Sequence, residues 1–174
     1  MFIASSLILR LVHVVSSVCW AGGGFVQFLF LEPTAKALGE GGMLFMQHLI
    51  ARRRFNIFMV LNSTLTVLTG ALLIWQRSNF RFAQYMSTGP GLGFTLGSAV
   101  GVLVYFVGMI GIAPRAAAIG KLGGEIRASG KPPSAVQAAQ LTRLDREMAL
   151  FSQIDFALVA LSLALMATAR YWIF

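Results

Sequence analysis

Four long apolar stretches, at residues 3–31, 55–75, 92–114 and 148–172, alternate with connections rich in Arg, Lys, Gly and Pro. As a helix, each is long enough to cross the roughly 30 Å hydrocarbon core of a bilayer, which takes about 20 residues. Lipid offers backbone N–H and C=O groups no water, so each stretch is predicted to be α-helical. Glu32-Pro33 is predicted to end the first, and Gly89-Pro90-Gly91 to turn the chain before the third. The fold class is therefore all-α: an integral membrane four-helix bundle forming a single domain over residues 1–174.

Polar positions inside these stretches are patterned. In the first, Ser6, His13, Trp20 and Gln27 recur every seven residues, with Ser16, Ser17, Gly23 and Gly24 beside them. A stripe of this kind faces partner helices and not lipid. Cys19 lies about 120° from His13 by helical rotation and off that face. The second stretch carries Asn62, Ser63, Thr64, Thr66, Thr69 and Gly70; the third carries Gly97, Gly101, Tyr105, Gly108 and Gly111. Small residues at such spacing either let helices approach closely or leave room for a flat cofactor, and the sequence leaves both readings open.

The helices also outrun the apolar stretches on one side. Nothing between Gly42 and Trp75 breaks a helix, and residues 115–130 continue the third stretch until Gly130. Pro132-Pro133 then turns the chain, proline suiting a first helical turn. The following run leads uninterrupted into the fourth stretch, so residues 115–147 are expected to form a helical hairpin beyond the membrane.

Charge orients the bundle. Of 174 residues, 57% are hydrophobic and 11% charged, against about a quarter charged in a soluble domain. The net charge of +8 comes from basic residues flanking apolar runs, without a basic, aromatic-rich surface, which argues against nucleic acid as a partner. Lys36, Arg52, Arg53, Arg54, Arg115, Lys121, Arg127, Lys131, Arg143 and Arg146, ten in all, fall on one side; Arg10, Arg77, Arg81 and Arg170, four, fall on the other. The positive-inside rule then puts both termini outside and the hairpin in the cytoplasm. The apolar run after Arg10 continues to Leu31, beyond the length of a signal-peptide core, and is read as an uncleaved helix. The single Cys19 can form no internal disulfide and reads as a small buried hydrophobe.

Ionisable groups inside a bilayer are costly and are functional candidates by default. His13, deep in the first stretch, reads as a haem or metal ligand or a proton-handling group, or else as a neutral imidazole hydrogen-bonded across the bundle. His48, with Met43 and Met46, lies near the cytoplasmic interface, where soft thioethers could bind copper. Asp155 lies about two turns inside the fourth stretch and needs a partner; Arg54, at a compatible depth, would form a structural ion pair locking helices two and four.

The segment "LRLVHVVSSVCWAGGGFVQFLFLEP" resembles the first helix of the copper-resistance-D-like membrane superfamily, which includes the HemJ-type protoporphyrinogen oxidases. The likeness rests on His13, Trp20, Gly22-Gly23 and Pro33. "RRRFNIFMVLNSTLTVLTGALLIW" resembles the second helix of the group, and "IAPRAAAIGKL" with "LMATARYWIF" resembles an uncharacterised branch. The resemblance implies a four-helix membrane core in a bacterial-type inner (plasma) membrane, with b-type haem held at His13 beside Trp20. Met166, at similar depth on the fourth helix, is a candidate second axial ligand, His/Met ligation being known in cytochromes. The HemJ-type relatives also use a third-helix lysine, and residues 92–114 here contain neither Lys nor His. Three functions follow as expectations: haem-based electron transfer or porphyrin redox chemistry; a non-catalytic accessory or assembly subunit of a larger membrane complex; and copper transport. Expected partners are the lipid bilayer and other membrane subunits or further copies of the chain.

Overall fold

The computed structural model describes Phe2–Phe174, with side chains from Ser5 onward. Met1, the first residue of the expected domain, lies outside the described residues. Helices account for nearly everything: α1 (Phe2–Val26), α2 (Glu32–Ala37), α3 (Glu40–Gln47), α4 (Phe55–Ser78), α5 (Phe82–Met86), α6 (Gly89–Phe106), α7 (Ala113–Ser129) and α8 (Ala135–Thr168). Wide π-helical turns at Gln27–Leu31, His48–Arg52 and Val107–Ile112 join several of them. Four helical segments, Ser5–Ala37, Phe55–Ser78, Gly89–Ser129 and Ala135–Tyr171, are long and apolar enough to cross a membrane. The burial pattern agrees, because large apolar side chains point outward, Leu11 at 63% and Ile110 at 68% exposure, while Ser16, Ser63, Thr66 and Thr69 are buried. That inversion suits lipid, where packing rather than hydrophobicity holds helices together. The chain is that of a multi-pass membrane protein.

Two expectations about helix ends need correction. Pro33 does not end the first helix: the π turn ahead of it bonds the Glu32 N–H to the Gln27 carbonyl, and α2 carries Pro33 in its first turn. A proline there forfeits an N–H that a helix start leaves unpaired in any case. Pro114 follows the π turn at Val107–Ile112 in the same way, and α7 then continues to Gly130, whose φ of +63° ends it. The second correction runs the other way. The unbroken helix expected from Gly42 stops at Arg53, and Arg54 takes a left-handed φ of 54° before α4 begins. No Gly or Pro marks that corner. At the start of α8, Ser134 and Gln137 form a reciprocal cap, the Gln137 N–H donating to Ser134 Oγ (3.3 Å) and the Ser134 N–H to Gln137 Oε1 (3.0 Å).

The described chain forms two compact units, residues 2–105 with Phe156–Phe174, and Phe106–Asp155. In the first, α1 and α4 run antiparallel. Ser6 Oγ donates to Gln76 Oε1 (3.0 Å), Thr66 Oγ1 donates to Ser16 Oγ (3.0 Å), and Gly23 faces Met59, so partners descend α4 as α1 ascends. The helices α6 and α8 form a second antiparallel seam built on Gly89, Gly93, Gly97 and Gly101. A Cβ on Gly93 would lie 2.9 Å from the Ala169 Cα, and one on Gly97 would lie 3.1 Å from Met166 Cγ. Ser162 Oγ donates to the Gly97 carbonyl across this seam (2.9 Å). Ala21, Val104 and Val159 form a small core among α1, α6 and α8, with Trp20, Phe25, Val100 and Leu158 around it.

In the second unit α7 lies against the N-terminal part of α8. The Arg115 Nε bonds Glu147 Oε2 (2.9 Å), its guanidinium carbon lies 4.3 Å from the Phe151 ring centroid, and its Nη1 donates to the Gly111 carbonyl (2.8 Å). A Cβ on Gly111 would sit 2.4 Å from Phe151 Cδ1, so only glycine admits that ring.

Gly93→Ala should lower stability by about 1–3 kcal/mol, because backbone and not a flexible side chain occupies the space its methyl needs. Gly120→Ala on α7, where a Cβ meets nothing within 4 Å, should be neutral or stabilising by up to about 1 kcal/mol. Thermal unfolding in detergent compares the two, and equal effects would show that the α6–α8 seam does not depend on close approach.

Candidate functional site

His13 sits half-buried on α1 facing α4. Its ring lies over Gly70: a Cβ there would be 3.0 Å from the His13 Cε1 and 3.4 Å from Nδ1. An added methyl at position 70 would require the imidazole to shift by a few tenths of an ångström. The His13 Nδ1 lies 2.9 Å from the Thr66 carbonyl oxygen and 3.3 Å from Thr69 Oγ1. A carbonyl can only accept, so Nδ1 carries the proton and donates. The Thr69 hydroxyl spends its own proton on the Leu65 carbonyl and is likewise an acceptor towards the ring. In the neutral ring the free lone pair is therefore on Nε2, which has no hydrogen-bond partner among the described residues. Ligating histidines are oriented in this manner, one nitrogen donating to a carbonyl and the other presented to the metal.

The surrounding hydroxyls are occupied with one another and with their own helices. Ser16 Oγ donates to the Val12 carbonyl (2.7 Å), and Ser17 Oγ donates to that of His13 (2.6 Å). Thr64 Oγ1 reaches Tyr105 Oη (3.3 Å), tying α4 to α6. The seam is thus polar but internally satisfied.

The other sequence-predicted residues take separate places. Trp20 belongs to the apolar cluster of α1, α6 and α8, so the heptad stripe of α1 divides, His13 towards α4 and Trp20 against that core. Met166 packs on Gly97 in the α6–α8 seam. Met43 and His48 are exposed and Met46 half-buried; on a helix His48 is well over a quarter-turn from either methionine, so the three do not share a face. Cys19 is half-buried and free. Asp155 is half-buried and falls in the second unit, whereas Arg54 is an exposed corner residue of the first. Neither takes part in an ion pair among the described residues, where the pairs formed are Arg115–Glu147 and Arg143–Glu147. Arg143 and Arg115 each donate from Nε to the Glu147 carboxylate (both 2.9 Å). The i,i+4 spacing of Arg143 and Glu147 was the available signal for this cluster; nothing in the sequence pointed to Arg115 stacking on Phe151.

No group of three or more His, Cys, Asp or Glu that could hold a metal ion occurs among the described residues. No protein-family model matches the chain, and neither a curated protein nor a solved structure matches it significantly.

In a ¹⁵N spectrum of histidine-labelled protein, neutral His13 should show a protonated Nδ1 and a bare Nε2. Thr66→Val should cost about 0.6 kcal/mol of stability through the lost Ser16 bond, yet leave this tautomer intact, because the anchor is the backbone carbonyl. A switch to the Nε2–H tautomer in the unsubstituted protein would refute the assignment.

Proposed function

We propose that this membrane protein holds a b-type haem through His13, serving electron transfer or porphyrin-related redox chemistry. One observation carries the reading: the Nδ1–H donated to the Thr66 carbonyl leaves Nε2 without a partner and held rigid over Gly70. The donor set favours haem over a bare ion, since a lone imidazole gives a metal too few protein ligands, whereas a porphyrin brings four nitrogens of its own. When bound, the haem would supply a one-electron couple; the chain's part is to fix the imidazole, exclude water with its apolar exterior, and raise the basicity of Nε2 through the Thr66 bond. Met166, in the same compact unit, is the candidate for a second residue that would hold the haem. The resemblance of residues 9–33 to the copper-resistance-D-like and HemJ-type group supports the same assignment.

An accessory or assembly subunit is the second reading. The mutual satisfaction of Ser16, Ser17, Thr66 and Thr69 favours it, because such a seam also serves for packing alone. Copper transport has less support, as Met43, Met46 and His48 do not converge.

A reduced-minus-oxidised absorbance spectrum of detergent-purified protein, with metal analysis of the same sample, separates these. Soret and α bands near one haem per chain are expected, lost in His13→Ala with the helices intact. A featureless, metal-free spectrum would sink the haem reading and leave the packing subunit.

Both termini are proposed to lie outside a bacterial-type inner membrane, with the α7–α8 hairpin in the cytoplasm, from the ten-to-four distribution of Lys and Arg. In a Cys19→Ser background, Ser87→Cys should react with an impermeant maleimide in intact cells and Ser129→Cys only after permeabilisation. The reverse labelling would invert the topology.

A further inference from the structure

At the end of α4 the chain turns through Asn79 and Phe80, both with left-handed backbones (φ 45° and 63°), into α5. Arg77, Ser78, Asn79, Arg81, Gln84 and Tyr85 line a shallow, open pocket of about 240 Å³ there. Its polar groups are unusually free. Neither arginine takes part in an ion pair among the described residues, and the sequence has no Asp or Glu between Glu40 and Glu125. Arg77 rests over the Phe94 ring, 5.9 Å from its centroid, which steadies the guanidinium without neutralising it. The Tyr85 hydroxyl is buried and has no hydrogen-bond partner among the described residues. Burial pushes its pKa up, against a smaller opposing pull from Arg77, so at neutral pH it keeps its proton and can only gain by meeting an acceptor. The Ser78 hydroxyl is already committed to the Trp75 carbonyl (3.1 Å) and does not compete.

We propose that this cavity is a binding site for a phosphate group, held between Arg77 and Arg81 with the Tyr85 hydroxyl as a third donor. Two planar guanidinium forks match the paired oxygens of a phosphate monoester or diester, an arrangement that a single lysine-like point charge does not provide. The cavity opens where the apolar part of α4 ends at Trp75, the depth of lipid headgroups. The phosphate can belong to an anionic lipid or to a free phosphate compound, and both present the same oxygens.

Native mass spectrometry of the full chain in neutral detergent reads retained phosphatidylglycerol, and calorimetric titration reads inorganic phosphate. Retained lipid that inorganic phosphate does not displace assigns the site to a headgroup; saturable phosphate binding assigns it to a free anion. In either case Arg77→Gln and Arg81→Gln should each weaken the bound probe by about tenfold, the scale of one charge-assisted hydrogen bond. Tyr85→Phe, which keeps the ring, should weaken it by about threefold. Arg170→Gln, a cation outside the cavity, should change nothing, and thermal unfolding identifies any variant that has not folded. Absence of binding by both probes, unchanged binding in folded Arg77→Gln and Arg81→Gln, or an equal loss in Arg170→Gln would overturn the site.

Discussion

Close approach between antiparallel helices is the constraint on which this architecture rests. Lipid tails are as apolar as leucine, so no hydrophobic force gathers the helices; association comes from van der Waals contact and interhelical hydrogen bonds, which act only at short range. Glycine makes that range accessible. Gly93 and Gly97 bring α6 onto α8, Gly111 admits the Phe151 ring, and Gly70 leaves room for an imidazole against α4. A side chain at position 70 would force the His13 ring to give way by a few tenths of an ångström and would loosen its hold on the Thr66 carbonyl.

Satisfaction of polar groups is the second demand, and it sorts the hydroxyls from the imidazole. Ser16, Ser17, Thr66 and Thr69 each return a proton to a nearby carbonyl or hydroxyl. An unsatisfied polar group in an apolar medium costs several kcal/mol, on the order of 2–7, whereas an interhelical hydrogen bond in a membrane returns about 0.6. Such bonds are therefore made chiefly to avoid the penalty, not for net stability. Against that background the bare Nε2 of His13 stands out, because its neighbours are paired off and it is not. The same asymmetry distinguishes the charged ends. Arg115 is compensated by Glu147, a ring face and a carbonyl, while among the described residues Arg77 and Arg81 pair with no carboxylate.

Proline has an unexpected role. Pro33 and Pro114 each follow a π-helical turn and lie in the first turn of the next helix. The wider turn shifts the hydrogen-bonding register just where proline offers no N–H, so the axis continues instead of breaking. Helical segments that begin in apolar sequence thereby extend well past it, as α7 does to Ser129.

The sequence by itself determined what composition and periodicity encode: four apolar helices, their approximate limits, the polar stripe of α1 with His13 in it, and the stop at Gly130. These are local properties, set by the 3.6-residue repeat and by the cost of exposing backbone to lipid. It also singled out Gly97 and Gly101 by their spacing but left open whether they serve close packing or a cofactor; the structure packs both against α8. Only the tertiary structure decided which helix each stripe meets. The acceptor that orients His13 is a backbone carbonyl, an atom every residue possesses, so no pattern of side chains could have singled out Thr66. The division of the α1 stripe between α4 and the Trp20 cluster, and the meeting of Arg115 with Glu147 and Phe151, depend on the register between helices. Register follows from which surfaces fit, a property of pairs of helices that neither helix carries alone.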